Sequence, residues 1–137
     1  MTFRLLLSLS ICAGGLTACN EASDDKSRSV DRGQFVYAKE CAACHGAVGE
    51  GAGSASLGLG VAAPDLTGLR QRNDGQFPRE FVRRFVMGVL EKDDPDAAMP
   101  DFARVGLRHV YPEGGADGEV LETDFEALLD YLEAIQR

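Results

Sequence analysis

The sequence predicts an all-α domain, because three segments have amphipathic helical spacing and no strand–helix alternation accompanies them. The clearest segment lies near the carboxyl end, where apolar residues recur at intervals of three and four: Leu121, Phe125, Leu128, Leu129, Leu132 and Ile135. Two further helices are predicted over 32–44 and 78–90.

The first predicted helix begins after Asp31, which is expected to cap it together with Gln34 three positions later. Gly33, Tyr37 and Cys41 recur at every fourth position, so they share one face of this helix. A loop with six glycines follows over 46–63. Because no strand precedes these glycines, we expect a turn-rich loop rather than a phosphate-binding loop.

The second predicted helix has Pro78 at an early position, where the missing N–H costs little. Its apolar face is expected to contain Phe81, Val82, Phe85, Val86 and Val89. The last helix is expected to start at a capping box over 123–126. The segment before it, over 101–122, is either a short hairpin or a surface excursion.

The first residues have the pattern of an export signal. Arg4 precedes an apolar stretch of twelve residues, Leu5 to Leu16, which is shorter than the roughly 20 needed to span a bilayer. Residues 16–19, Leu-Thr-Ala-Cys, resemble the lipobox of bacterial lipoproteins, in which the cysteine becomes the lipidated first residue. Ordinary cleavage prefers a small residue where Leu16 stands, so lipidation at Cys19 is favoured over a soluble exported protein.

The expected organisation is therefore a signal peptide at 1–18, a lipidated cysteine with a flexible polar tether at 19–30, and one domain at 31–137. The formal net charge of −8 disfavours nucleic-acid binding, which requires basic patches. Such acidity favours partners with a basic docking patch, although it also serves solubility alone.

The run Cys41-Ala42-Ala43-Cys44-His45 has the spacing of a c-type haem attachment site. Each thiol can add to a vinyl group of the porphyrin, and the histidine can bind the iron. A redox dithiol is disfavoured because no βαβ pattern surrounds the motif, and a zinc site because His109 has no second histidine nearby. One such motif predicts one covalent haem c, with His45 as an iron ligand.

Three residues are candidates for the second iron ligand: Met87, Met99 and His109. Met87 falls in the second predicted helix on its polar side, near Arg83 and Arg84. Met99 is favoured, because a loop that is stiffened by the following Pro100 can carry the thioether to the open face of the haem. His109 is the weaker alternative.

Together these residues resemble the class I, mitochondrial-type monohaem cytochromes c over about 31–137. The resemblance rests on Gly33, Tyr37, the haem motif, Ala63-Pro64-Asp65-Leu66, Met99-Pro100-x-Phe102 and Leu128-x-x-Tyr131-Leu132. It implies three or more helices around one haem, with the first and last helices crossing where Gly33 and Tyr37 meet Leu128 and Tyr131. It also implies that the Pro64 carbonyl accepts a hydrogen bond from His45. The segment between Pro100 and Thr123 is longer than in compact members.

A haem with both axial positions filled has no open site for a substrate, so we expect an electron carrier rather than an enzyme. Five phenylalanines are expected in its pocket or core: Phe35, Phe77, Phe81, Phe85 and Phe102. The expected role is single-electron transfer between membrane-associated redox proteins, at the periplasmic side of a bacterial membrane. The alternatives are a subunit fixed in a larger oxidoreductase, and a haem enzyme or gas sensor with an open distal site.

Overall fold

The computed structural model describes residues 18–90, 99 and 122–137, and these form five helices without a strand. The helices are α1 (Ala18–Glu40), α2 (Ala42–His45), α3 (Ser54–Gly58), α4 (Arg79–Val86) and α5 (Glu122–Ala134). The predicted all-α class is confirmed. Within the described ranges, no helix has both the length and the hydrophobicity that a membrane crossing requires.

Helices α1 and α5 pack against each other at a position where only glycine fits. A Cβ on Gly33 would overlap the carbonyl of Ala127 and would lie 2.8 Å from Cβ of Tyr131. One turn further on, the rings of Tyr37 and Tyr131 are 5.2 Å apart between their centroids. This close approach brings the two helices into contact, as the resemblance implied for Gly33 and Tyr37.

The core lies between α1, α4 and α5. Its largest apolar side chains with less than 2% exposure are Tyr37, Phe125, Leu128 and Leu129. Val82 and Val86 contribute from α4. Burial of each such side chain contributes roughly 1.5–3 kcal/mol, so this cluster is a main source of stability.

The predicted apolar face of the second helix is only partly correct. The helix ends at Val86, and Gly88 follows with a φ of +73° that terminates it. Val89 therefore lies beyond the helix and is 63% exposed, while Phe81 is 56% exposed. Met87 was expected on the polar side, but it is partly buried and packs against the core.

Helix α1 begins at Ala18, so residues 19–30 are helical and the prediction of a flexible tether there is wrong. Asp31 therefore lies inside the helix and does not cap it. Residues 19–30 are helical because two of their side chains bind Asp130, a residue distant in sequence. Nζ of Lys26 lies 2.7 Å from Oδ1 of Asp130 on α5, and Oγ of Ser29 donates to Oδ2 of the same carboxylate at 2.6 Å.

Asp130 also forms an ion pair with α4, where Nη1 of Arg79 lies 2.9 Å from its Oδ1. Burial by itself would raise the pKa of Asp130. The hydrogen bonds from Lys26 and Ser29 and the nearby positive charges outweigh it, and they hold the pKa below its usual range. The carboxylate therefore stays ionised at neutral pH and links α1, α4 and α5.

The capping box predicted at 123–126 is also wrong, because α5 is already helical at Glu122. Instead, the side chain of Asp124 is completely buried and pairs with Nε of Arg32 on α1. A buried carboxylate needs such a partner, since removal of one member of a buried pair costs about 3–5 kcal/mol. Arg79 and Arg83 of α4 add ion pairs to Glu126 on α5.

The contact at Gly33 yields the first prediction. The change Gly33→Ala should lower the free energy of unfolding by about 2–3 kcal/mol, because the new methyl group meets the backbone of α5, which cannot rotate away. Denaturant unfolding of the holoprotein measures this change. The matched control is Gly58→Ala, whose Cβ would have no atom within 4 Å. The control should stay within about 1 kcal/mol of the parent. Equal stability of Gly33→Ala and the parent would contradict the packing.

Candidate haem-binding site

The predicted attachment motif forms one tight turn at the end of α1. The chain leaves α1 at Glu40, passes Cys41 and re-enters a helix at Ala42, so the helix predicted over 32–44 is interrupted at Cys41. The backbone N–H groups of Cys44 and His45 both donate to the carbonyl of Cys41, at 3.1 and 2.9 Å. This turn brings both thiols and the imidazole to one place.

The two cysteines of the turn are not joined by a disulfide, and both are partly buried. Burial, together with the charges of Glu40 and Cys44, raises the pKa of the Cys41 thiol to about 12. The free thiol is therefore protonated at neutral pH, and an unmodified Cys41 is a weak nucleophile by itself.

His45 is buried, and its Nδ1 lies 3.1 Å from the carbonyl oxygen of Pro64. A carbonyl can only accept, so this contact requires the proton on Nδ1. The other ring nitrogen, Nε2, then has a lone pair that can bind a metal ion. The contact between His45 and Pro64 is the one that the resemblance implied, and the role of His45 as iron ligand stays a prediction.

Three carbonyls at the end of α2 and just beyond it, where a helix leaves such groups without internal partners, receive hydrogen bonds. The carbonyl of Cys44 accepts from the N–H of Gly53 at 2.8 Å, and the carbonyl of His45 accepts from the N–H of Gly51 at 2.7 Å. The carbonyl of Gly46 accepts from the hydroxyl of Tyr37 at 2.7 Å. The backbone around His45 is thus held by the glycine loop on one side and by α1 on the other.

Ser56 gives a further contact to the same turn. Its Oγ is 3.1 Å from the carbonyl of Cys44 and 2.8 Å from that of Gly53, and one hydroxyl proton can serve either. Ser56 belongs to α3, a short helix inside the stretch that the sequence predicted as loop. Its hydroxyl links this helix to the attachment motif.

The glycine loop requires backbone conformations that other residues rarely adopt. Gly51 has a φ of +85°, and a Cβ there would lie 2.8 Å from both the carbonyl oxygen of Ala63 and the backbone nitrogen of Asp65. The loop therefore lies directly against 63–66. The N–H of Leu66 donates to the carbonyl of Gly49 at 2.7 Å. This contact positions the carbonyl of Pro64 for His45.

Asp65 fixes the same segment from its other side. Its carboxylate accepts hydrogen bonds from the hydroxyl and the backbone N–H of Thr67, at 2.6 and 2.8 Å. It also pairs with Arg137 at 3.0 Å. The bonds from Thr67, with the charges of Arg137 and Arg72, hold the pKa of Asp65 below its usual range. The segment that carries Pro64 is therefore anchored to the end of the chain.

Among the candidates for the second ligand, Met99 is partly buried and packs against the core cluster. Met87 was disfavoured as a ligand because it was expected on the polar side of its helix. It packs against the core instead, so burial does not distinguish Met87 from Met99. His109 lies outside the described residues, as do Pro100 and the segment 101–121. Met99 stays the predicted ligand.

The phenylalanines divide in a way that the sequence did not predict. Phe77 packs against the core and Phe85 is partly buried. Phe35 and Phe81 are 41% and 56% exposed on the described surface, so neither is a core residue. Phe102 lies outside the described residues.

These residues fit a haem that is bound covalently through two thiols and one imidazole. Cys41, Cys44 and His45 share one turn, and the Nδ1 of the histidine is already engaged by a carbonyl. Sequence reasoning missed the hydroxyls of Tyr37 and Ser56 and the close approach at Gly51. The glycine spacing in the loop gave a signal for the close approach at Gly51. The partners of the two hydroxyls depend on tertiary contacts, so the sequence contained no signal for them.

The Tyr37 hydroxyl yields the second prediction. The change Tyr37→Phe should lower the free energy of unfolding of the holoprotein by about 0.5–1.5 kcal/mol, because the buried carbonyl of Gly46 loses its short hydrogen bond and keeps only the N–H of Gly49, at 3.4 Å. Denaturant unfolding measures this. The matched control is Tyr131→Phe, which removes a hydroxyl from the neighbouring ring. The result that would count against the account is an equal loss of stability in the two variants.

The family model described as Cytochrome c matches residues 30–136. Neither the curated proteins nor the solved structures give a match. The family match covers most of the chain and includes all three residues of the attachment motif. The chain therefore belongs to the cytochrome c family, whose all-α domain holds one covalently bound haem c.

Proposed function

We propose that this protein is a class I monohaem cytochrome c, anchored to a bacterial membrane through a lipid on Cys19, that carries single electrons between redox proteins outside the cytoplasm. The family is shown by the match over 30–136, and its members are generally electron carriers rather than enzymes. The observation that carries the proposal is the contact between Nδ1 of His45 and the Pro64 carbonyl, next to two cysteines of the same turn.

His45 is the proposed proximal ligand of the iron. The hydrogen bond to Pro64 fixes the tautomer and the plane of its ring, and it leaves the lone pair of Nε2 for the metal. The hydrogen bonds to the carbonyls of Cys44, His45 and Gly46 keep the backbone in place. Such restraint favours electron transfer, because the ligand needs little rearrangement when the charge of the site changes.

Met99 is the proposed distal ligand. It is partly buried against the core, in the environment that a thioether ligand requires. When bound, the haem supplies one-electron chemistry, in which its iron cycles between the ferrous and ferric states. With His45 and Met99 as ligands, the thioether and the apolar surroundings would disfavour the ferric state and so would raise the reduction potential. With both axial positions filled, no open position is left for a substrate.

The lipid anchor is supported by the sequence before the domain. The apolar stretch Leu5 to Leu16 ends at Leu-Thr-Ala-Cys, and Cys19 is the residue that a lipoprotein pathway would acylate. Two or more acyl chains suffice for stable attachment to a bilayer. The anchor would place the domain at the periplasmic side of a bacterial membrane, where a c-type haem can be attached.

The proposed partners are membrane-associated redox proteins with a basic docking patch. The chain has 22 acidic and 14 basic residues, a balance that steers it towards positive surfaces and away from nucleic acid. Attachment of both partners to one membrane raises their effective concentration, so weak contacts are sufficient for repeated electron transfer.

The distal ligand yields the third prediction. In the ferric protein, Met99→Ala should abolish the weak sulfur-to-iron absorption band, because the thioether that produces it is lost. Absorption spectroscopy of the purified holoprotein measures this. The control is Met87→Ala, which removes the other described methionine that packs against the core and should leave the band in place. Persistence of the band in Met99→Ala would remove this residue from the proposal.

The anchor yields the fourth prediction. The intact mass of the membrane-purified protein should show a mature chain that starts at Cys19 and bears acyl chains, and Cys19→Ser should abolish the acylation. The control is Cys12→Ser, which changes a cysteine inside the predicted signal peptide and should leave the acylated product unchanged. A parent protein without acyl chains would disprove the anchor, while the electron-transfer proposal would stand.

A further inference from the structure

Helix α1 extends upstream of the domain that this chain shares with its family. The family match begins at residue 30, whereas α1 begins at Ala18. We propose that residues 19–29, termed the strut, form a rigid helical spacer that fixes the height and orientation of the haem domain above the bilayer. This inference rests on the proposed lipid anchor at Cys19.

One carboxylate of the domain contacts the strut at two positions. Asp130 accepts hydrogen bonds from Lys26 at 2.7 Å and from Ser29 at 2.6 Å, both on the strut. Arg79 of α4 holds the same carboxylate at 2.9 Å. The side chain of Asp130 is 15% exposed, so the carboxylate is largely shielded from solvent, whereas Lys26 is 55% exposed and its contact is open to screening by salt. The strut is therefore attached to α5 through Asp130, and α4 holds the same carboxylate through Arg79.

The strut also lacks a hinge. No glycine or proline occurs between Ala18 and Arg32, so nothing in this stretch interrupts the helical backbone. Arg28 and Asp25 form an ion pair at 2.8 Å across one turn, which supports the helix locally. Val30, where the strut meets the domain, packs against the core cluster. The strut and the rest of α1 are one continuous element.

This rigidity sets the reach of the domain. A helix rises about 1.5 Å per residue, so the backbone from Cys19 to Val30 spans roughly 17 Å. An extended flexible tether of the same length could reach about 36–40 Å and would let the domain pivot freely. The strut therefore restricts the protein to redox partners whose docking surface lies close to the bilayer, and it presents the same side of the domain at each encounter.

Distance measurements between spin labels test this inference. Labels are placed at Ala22→Cys and Ala134→Cys, two exposed positions on the strut and on α5. The reference pair is Ala38→Cys with Ala134→Cys, which lies entirely within the shared domain. The protein is the reduced holoprotein with Cys19→Ser and Cys12→Ser, so that only the introduced thiols are labelled. The outcome then does not depend on whether Cys19 is acylated.

We expect the distance distribution of the strut pair to be as narrow as that of the reference pair. Lys26→Ala combined with Ser29→Ala should widen it at least twofold, because both bonds to Asp130 are lost. Arg28→Ala, which breaks only the pair with Asp25, is the matched control and should leave the width unchanged. A strut pair at least twice as wide as the reference in the parent protein would overturn the inference. An unchanged width in the double variant would overturn the role of Asp130.

Discussion

The hydrogen bond between His45 and Pro64 is the interaction on which the haem site depends, and most of the surrounding structure serves to form it. The imidazole is positioned by a turn whose final carbonyls are occupied by the N–H groups of Gly51 and Gly53 and by the hydroxyl of Tyr37. The carbonyl of Pro64 is positioned by the backbone of the glycine loop, which only Gly51 allows to come so close. Donor and acceptor come from separate segments, and each segment is held by its own backbone hydrogen bonds.

The contact between α1 and α5 connects this site to the rest of the fold. Gly33 allows the two backbones to meet, and Tyr37, one turn later, belongs both to the core and to the attachment turn. The buried pair of Arg32 and Asp124 adds specificity, because a charged carboxylate without its partner is unfavourable in this core. Packing of the helices and placement of the iron ligand are therefore consequences of one interface.

The sequence predicted the features that local patterns determine. Apolar spacing identified the core side of α5 and the valines of α4, and the repeat at Gly33 and Tyr37 identified the contact face of α1. Features that depend on distant partners could not be predicted. The polar stretch 19–30 has the composition of a tether, and its helix is held by Asp130, 104 positions after Lys26. For the same reason Asp124 has the position of a capping-box residue in the sequence, although it is a buried ion-pair partner of Arg32.

The most direct test of the account is nitrogen NMR of the reduced holoprotein with isotopically labelled histidine. The account predicts that His45 carries its proton on Nδ1, that this proton exchanges slowly with solvent because it is bonded to the Pro64 carbonyl, and that the iron binds at Nε2. An Nδ1 proton that exchanges freely, or an iron bound at Nδ1, would contradict the central claim.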